Sequence, residues 1–279
     1  KEEVMSEAAT TKKAVTKTKK NEVQTIGLAS KFAQDAGMGM ENVRSEDLVI
    51  PRVKLCHSIS PQRKKTHEKY IPGLDEGDIF NTLTGEVWSM DKGLFVVPCA
   101  YRLTHTEWHP LEENKGIVGE LDASDPRLKP SNIRSEDRPR RDFFVDSGME
   151  YVKTAEHYVL ILDLDTGEYQ QCLMPMTKSN LKHSRAWNTQ MKMQSVPHGE
   201  GRINLPSFAC IWHLGSIEVT KDNKSWHEYK IIGRHSIVES ESLYESAKSF
   251  SELIQSGVSV AVDEEELGMG PEAPEMKFD

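Results

Sequence analysis

Aromatic and basic side chains alternate along several predicted strands and one predicted helix of this chain. Proteins that bind single strands without sequence preference use this combination, because bases stack on aromatic faces for about 1–3 kcal/mol each while cations neutralise the phosphates. The pattern therefore predicts a surface that binds single-stranded DNA. The residues predicted to form it are Trp88, Tyr101, Arg102, Trp108, Arg138, Arg140, Arg141, Lys178, Lys182, His183, Arg185, Trp187, Lys192, Trp212, Trp226, Tyr229 and Lys230.

The segment from Lys178 to Lys192 carries the clearest part of this signal. Its fifteen residues include five cations, counting His183, and no acidic residue. A solvated helix face would normally carry both signs. The alternative for the aromatic residues is that they form the core, as aromatic residues in strands mostly do. The sequence leaves this alternative open for each tryptophan.

Two acidic residues, Asp163 and Asp165, lie at the end of an apolar run. Paired carboxylates at such a position can hold a divalent metal for nuclease chemistry. Thr166 and Gly167 come next, however, and they explain Asp165 as a residue of a hairpin turn. A metal-dependent nuclease is therefore the weakest functional alternative.

The four cysteines offer little further chemistry. Cys210 and His213 together with Cys56 and His57 could supply four zinc ligands, but their spacing is poor for zinc, and buried cysteine is common as a small apolar residue. No local signature marks a cysteine or serine nucleophile, and the glycine motifs of nucleotide binding are missing. We therefore expect a protein that is not an enzyme and uses no cofactor or metal.

The last seventeen residues, 263–279, form an acidic segment interrupted by Pro and Gly, with seven acidic residues and one lysine. Such a composition cannot offset the entropy of ordering, so we expect a disordered tail. Its predicted role is to bind protein partners and to compete with DNA for the basic surface; an inert chain end is the alternative. The predicted partner-binding residues are Asp263, Glu264, Glu265, Glu266, Met276 and Phe278.

The charge of the whole chain is unevenly distributed. The formal net charge is −9 at pH 7; the tail accounts for −6 of it, which leaves −3 for the rest. Lysines concentrate before residue 21, and arginines between 134 and 141. This distribution excludes a globally basic nucleic-acid binder but permits a local basic surface. No signal peptide and no apolar run of about 18 residues is present, so we expect a cytoplasmic protein with reduced cysteines.

Patterning divides the chain into a flexible basic arm (1–45), one nucleic-acid-binding domain (46–258) with a long loop at 110–141, and a disordered acidic tail (259–279). Predicted strands occupy 48–55, 77–88, 93–101, 156–165, 168–174, 207–220 and 225–232, and predicted helices 26–36, 178–192 and 240–255. A helix between antiparallel hairpins predicts a mainly β fold with minor α: an enlarged OB-fold-like Greek-key barrel with an inserted helix and a C-terminal helix. A β-sandwich fits nearly as well.

The acidic segment that carries Phe278 near its end, behind strands rich in Trp, Tyr and Lys, resembles the single-stranded DNA-binding proteins of tailed bacteriophages. The resemblance implies an OB fold and an acidic, aromatic-ended tail that docks replication and recombination partners. The resemblance is specific in the tail and weaker over residues 48–260. Here Asp279 follows Phe278, whereas those tails end on the aromatic residue itself. The long loop at 110–141 is a second departure, and it would serve as a clamp or a dimerisation element.

These observations together predict a non-enzymatic single-stranded DNA-binding protein of phage DNA replication or recombination, located in the cytoplasm of a bacterial host. Dimerisation is left open. The alternative is a phage structural, assembly or interaction protein whose charged ends bind other proteins.

Overall fold

The computed structural model of the chain describes residues 28, 31–43, 49–113, 115–137, 140–221, 223–257 and 261–262. The chain divides into two compact units, 1–47 and 48–279. In the first unit, residues 31–34 form one helical turn, and every described side chain is exposed. Most of the predicted N-terminal arm, and residues 263–279 of the predicted tail, lie outside the described residues.

The second unit contains mostly antiparallel strands and two α-helices. The helices are α1 (Leu181–Lys192) and α2 (Glu241–Gln255). The strands are β1 (Val49–Ile50), β2 (Val53–Leu55), β3 (Ile79–Asn81), β4 (Val87–Trp88), β5 (Leu94–Trp108), β6 (Ile117–Leu121), β7 (Ile133–Asp137), β8 (Arg140–Phe144), β9 (Glu150–Leu162), β10 (Tyr169–Thr177), β11 (Ser195–His198), β12 (Gly201–Asn204), β13 (Cys210–Lys221), β14 (Lys224–Ile237) and β15 (Ala261–Val262). The predicted mainly β class with minor helices is confirmed.

Two long strands, β5 and β9, form the centre of the second unit. They pair antiparallel from Phe95–Leu162 to Trp108–Glu150. Each strand is therefore long enough to pair with different strands near its two ends. Near the start of β5, the strand order is β14-β13-β5-β9-β10. Near its end, β6 pairs with β5, while β8 and β7 continue from β9. Helix α1 lies in the connection between β10 and β13.

The five-stranded part of this sheet does not close into a barrel by strand pairing among the described residues, which leave it open between β10 and β14. The segment at β2 occupies the gap. Arg52 forms a parallel bridge with Leu173 of β10, and the hydroxyl of Tyr229 in β14 donates to the carbonyl of Val53 at 3.1 Å. The predicted barrel therefore differs from the structure at this seam, because a separate sheet of order β2-β3-β4 is inserted there.

Each face of the central sheet is covered by one α-helix. Helix α1 inserts Trp187 into the core on one face, where it meets Trp212. Helix α2 covers the other face with Ala247 and Phe250, which pack in a cluster with Leu160. Among the described residues, no helix has the length and apolar character required to cross a bilayer.

Two of the three helix predictions, 178–192 and 240–255, are confirmed to within three residues at either end. Helix α2 begins after Ser240, whose hydroxyl accepts the backbone N–H of Leu243 at 3.3 Å, as expected of an N-cap residue. At α1, Thr177 precedes the predicted helix but makes no capping hydrogen bond; residues 178–180 form a 3₁₀ turn, and the α-helix begins at Leu181.

The segment 110–141, predicted as a loop, contains β6, β7 and the start of β8, so that prediction is wrong. Ion pairs hold it to the central strands: Arg127 contacts Glu107 at 2.9 Å, and the buried Arg141 contacts Glu150 at 2.7 Å. Such contacts leave no apolar periodicity in the sequence, which is why the pattern did not reveal these strands.

Candidate nucleic-acid interface

Helix α1 separates a buried apolar side from an exposed basic side. Ser184 and Trp187 are buried, whereas Lys182, Arg185 and Lys192 are exposed. Arg185 and Lys192 lie three and ten residues after Lys182, so at 3.6 residues per turn the three cations lie on one side of the helix and span about 15 Å. No acidic residue occurs in the helix. The predicted basic helix face is therefore present.

A buried carboxylate compensates the cation at the start of this helix. Glu228 of β14 is 1% exposed and accepts hydrogen bonds from Lys182 Nζ at 2.7 Å, His183 Nε2 at 2.8 Å and Trp226 Nε1 at 2.9 Å. Burial alone would raise the pKa of Glu228, but these hydrogen bonds outweigh it and lower the pKa to about 2. The cluster fastens the start of α1 to β14, so Lys182 and His183 have a structural partner.

Two arginines extend the basic side beyond the end of α1. Arg234 of β14 donates to the side-chain oxygen of Gln194 at 2.9 Å. Arg202 of β12 donates to the hydroxyl and the carbonyl of Ser195, at 3.0 and 2.9 Å. These acceptors are neutral, so both guanidinium groups keep their charge uncompensated.

Four exposed cations thus lie either on the exposed side of α1 or in contact with the residues just after its end. In the part of the chain that the structure describes, none of them forms an ion pair. We call this set the α1 basic surface: Arg185, Lys192, Arg202 and Arg234.

One predicted stacking residue, Tyr101 of β5, lies beside this surface. Its side chain is 44% exposed, and its ring centroid is 5.1 Å from that of His157. His157 Nε2 in turn contacts the hydroxyl of Ser184 in α1 at 2.8 Å. Burial lowers the pKa of His157 to about 3, so the imidazole beneath the helix is neutral at pH 7. Tyr101 therefore offers an exposed aromatic face, and His157 connects it to Ser184 of α1.

Three predicted stacking residues are in the core instead, and the prediction that they contact DNA is wrong. Trp187, Trp212 and Tyr229 are 0%, 1% and 2% exposed. They belong to one apolar cluster between the sheet and helix α1. The reason is that large aromatic rings gain most free energy by leaving water, and the helix needs them to pack on the sheet.

The predicted arginine cluster of segment 134–141 is largely compensated. Arg141 is buried between Glu150 and Glu112, at 2.7 and 2.8 Å. The prediction that it is free to bind a phosphate is therefore wrong. Arg134 contacts Glu136 at 3.1 Å. Arg138, and the side chain of Arg140, lie outside the described residues.

The remaining predicted residues lie at the surface or partly below it. Arg102 is exposed but paired with Glu120 at 2.6 Å. The half-buried residues are Trp88, Trp108 and Trp226, and the exposed cations are Lys178 and Lys230. The structure does not gather these five residues into one site with the α1 basic surface.

The acidic pair weighed for metal binding forms a turn. Asp163 Oδ1 accepts the backbone N–H groups of Asp165 and Thr166 at 2.8 and 3.3 Å, which stabilises the hairpin between β9 and β10. The cysteines weighed for zinc are apart, since Cys210 and Cys56 lie in different core clusters. Over the described ranges, no group of three His, Cys, Asp or Glu side chains could hold a metal ion.

Sequence reasoning missed Arg202 and Arg234. Arg202 lies in the hairpin β11–β12, for which no strand was predicted, and its neighbours contain no apolar alternation. Arg234 lies in β14 beyond the predicted end of that strand. Only the tertiary contact between Arg234 and Gln194 brings it to the end of α1.

A family model described as Pam3 phage gp34-like protein matches residues 18–259. The chain belongs to the Pam3 phage gp34-like protein family. It is therefore a phage protein, which agrees with the phage part of the resemblance seen in the sequence. No curated protein and no solved structure matches it. The match covers both central strands, helix α1 and the whole α1 basic surface.

Proposed function

We propose that this Pam3 phage gp34-like protein binds single-stranded DNA through the α1 basic surface and Tyr101, in DNA replication or recombination. The observation that carries the proposal is a group of four uncompensated cations on a chain whose net charge is −9. An acidic protein that keeps a local cluster of unpaired cations has a surface suited to a polyanion. The adjacent exposed ring of Tyr101 adds a face on which an unpaired base can stack.

The order of strands supports this proposal. When β5, β9, β10, β13 and β14 are numbered one to five, the sheet has the order 5-4-1-2-3, and helix α1 lies between strands three and four. This arrangement agrees with an OB fold, a partly open five-stranded barrel that binds oligonucleotides and oligosaccharides. Fold alone does not assign function, so the proposal depends on the cations.

The C-terminal helix also favours the α1 side as the binding surface. OB folds commonly bind oligonucleotides on the face of strands two and three. Here helix α2 packs Phe250 against the outer face of β9, in a cluster that includes Leu160 and Leu173. That part of the sheet is therefore covered, whereas the cations of α1 remain exposed.

We propose that the protein acts without catalysis and that its acidic tail recruits replication or recombination proteins. Strand β15 fixes the point from which the tail extends, since Ala261 and Val262 pair in parallel with Val49 and Ile50. The seventeen following residues span at most about 60 Å when extended. The tail is thus tethered to the domain at high effective concentration, which is the condition for competing with bound DNA.

The test is fluorescence anisotropy with labelled oligo-dT and a labelled duplex of equal length, at several salt concentrations. We expect stronger binding to the single strand and an affinity that falls as salt rises, because bound phosphates release counterions. The double variant Arg185→Ala/Lys192→Ala should weaken binding and reduce the slope of log K against log salt by about 1.4, at about 0.7 per phosphate of a single strand. Both side chains are exposed, so the melting temperature should stay unchanged.

The matched control is Lys248→Ala, an exposed lysine of helix α2 on the opposite face of the sheet. It should bind DNA as the wild type does. Equal affinity for duplex and single strand, or equal effects of the control and the double variant, would contradict the proposal.

The second candidate is a phage structural, assembly or interaction protein. Exposed apolar side chains in the first unit favour it, since Phe32 is 60%, Met38 69% and Met40 57% exposed. Apolar side chains exposed close together often mark protein contacts. Absence of DNA binding in the anisotropy experiment would leave this candidate as the better one.

A further inference from the structure

A surface groove of about 490 Å³ lies beside Arg234, one cation of the α1 basic surface, where the end of helix α1 meets β13 and β14. Its lining residues are Gln190, Met193, Gln194, Trp212 and Arg234. Pockets of about 300–1,000 Å³ are of the size that holds small ligands. The groove is therefore large enough for one nucleotide.

Its wall combines apolar surface with polar side chains. Met193 is 74% exposed although it is apolar. Trp212 borders the groove, and its indole Nε1 has no hydrogen-bond partner in the described part of the chain. Trp212 is 1% exposed, so this N–H is enclosed in the core and is not available to a bound base.

The positive charge of the groove comes from Arg234. Its hydrogen bond to Gln194 uses Nη1, and the acceptor is a neutral amide. A guanidinium group has five N–H donors, so the others can bind a phosphate. The amide of Gln194 is engaged with Arg234 and with the carbonyl of Gln190. The side-chain amide of Gln190 carries both a donor and an acceptor, which suits the mixed polar edge of a nucleobase.

We infer that this groove accepts one unpaired base of a DNA strand, with the adjacent phosphate on Arg234. The inference rests on the proposed function and gives it a subsite at the far end of α1 from Lys182. Methionine is flexible and polarisable, so Met193 can pack against any of the four bases. The subsite therefore holds a base without selecting its sequence, as a non-specific single-strand binder requires.

The test compares labelled single strands of equal length, one with natural bases and one in which abasic residues replace them. The wild type should bind the natural strand about tenfold more tightly, the ratio that corresponds to 1.4 kcal/mol. In the variant Met193→Ala/Arg234→Met this preference should fall to about twofold or less, on the same scale. The matched control Lys248→Met should keep the full preference.

The outcomes separate the inference from the proposed function. If the wild type binds both strands equally, with an affinity that falls with salt, the groove holds no base, while phosphate binding by the α1 basic surface still stands. If the double variant keeps the wild-type preference, the bases bind elsewhere and the inference is overturned. A wild type that binds neither strand would overturn both.

Discussion

Replacing Glu228 with Gln tests how helix α1 is fastened to the sheet. The carboxylate is 1% exposed and receives hydrogen bonds from Lys182, His183 and Trp226 at 2.7, 2.8 and 2.9 Å. Gln keeps the size of the side chain but loses its charge. The amide also accepts at one oxygen only, so some of the three donors lose their acceptor. We expect Glu228→Gln to fold and to be less stable than the wild type.

The size of the effect follows from the pKa of the carboxyl group. Its folded pKa is about 2, against an ordinary value of 4.5. At 1.36 kcal/mol for each tenfold change in proton affinity, the difference amounts to roughly 3 kcal/mol. Lys182 is more than half exposed, so solvent screens part of its contribution. We therefore expect a loss of about 2–3 kcal/mol at pH 7, on the same conversion.

The effect should depend on pH in a defined direction. Because the folded pKa lies below the unfolded value, the stabilisation is complete well above pH 4.5 and is lost as the pH falls towards 2. The difference between wild type and variant should retain about three-quarters of its neutral value at pH 4 and less than about half at pH 3.

The assay is urea unfolding followed by far-ultraviolet circular dichroism at pH 7, 4 and 3. The control is Glu218→Gln, an exposed glutamate of β13, which should change the unfolding free energy by less than about 0.5 kcal/mol. A difference between wild type and Glu228→Gln that is the same at pH 7 and pH 3 would refute the reasoning. So would a loss at pH 7 as small as that of the control.

Two further predictions concern the core and the tail. Trp187→Ala removes a fully buried ring and should lower the unfolding free energy by about 3–5 kcal/mol. Trp226→Ala, at a half-buried position, should lower it less. Equal losses in urea unfolding would show that Trp187 is not a core residue. Deletion of residues 263–279 removes a net charge of −6 and should raise affinity for oligo-dT, most at low salt, as measured by anisotropy. Phe278→Ala should leave that affinity unchanged while weakening capture of a replication protein in a pull-down. An identical affinity with and without the tail would identify it as an inert chain end.

Local patterns predicted the secondary structure well where a segment faces one apolar surface. Helix α2 follows its predicted range closely, because the apolar residues Leu243, Ala247 and Phe250 recur at helical spacing after a capping serine. The hairpin β9–β10 was visible for a similar reason, since its turn residues separate two apolar runs. The strands of segment 110–141 were not visible in the sequence, because ion pairs such as Arg141–Glu150 hold them in place and leave no apolar periodicity.

The α1 basic surface shows which features local sequence patterns do not predict. The sequence determined that α1 is basic and lacks acidic residues, because that depends only on composition and helical spacing. Which cations stay unpaired was decided by the fold: Glu228 lies 46 positions from Lys182 in the chain yet compensates it at 2.7 Å. Burial was likewise tertiary. In the sequence, Tyr101 and Trp187 look equally suited to stacking on a base. The packing of α1 on the sheet, however, buries Trp187 and leaves Tyr101 exposed to solvent.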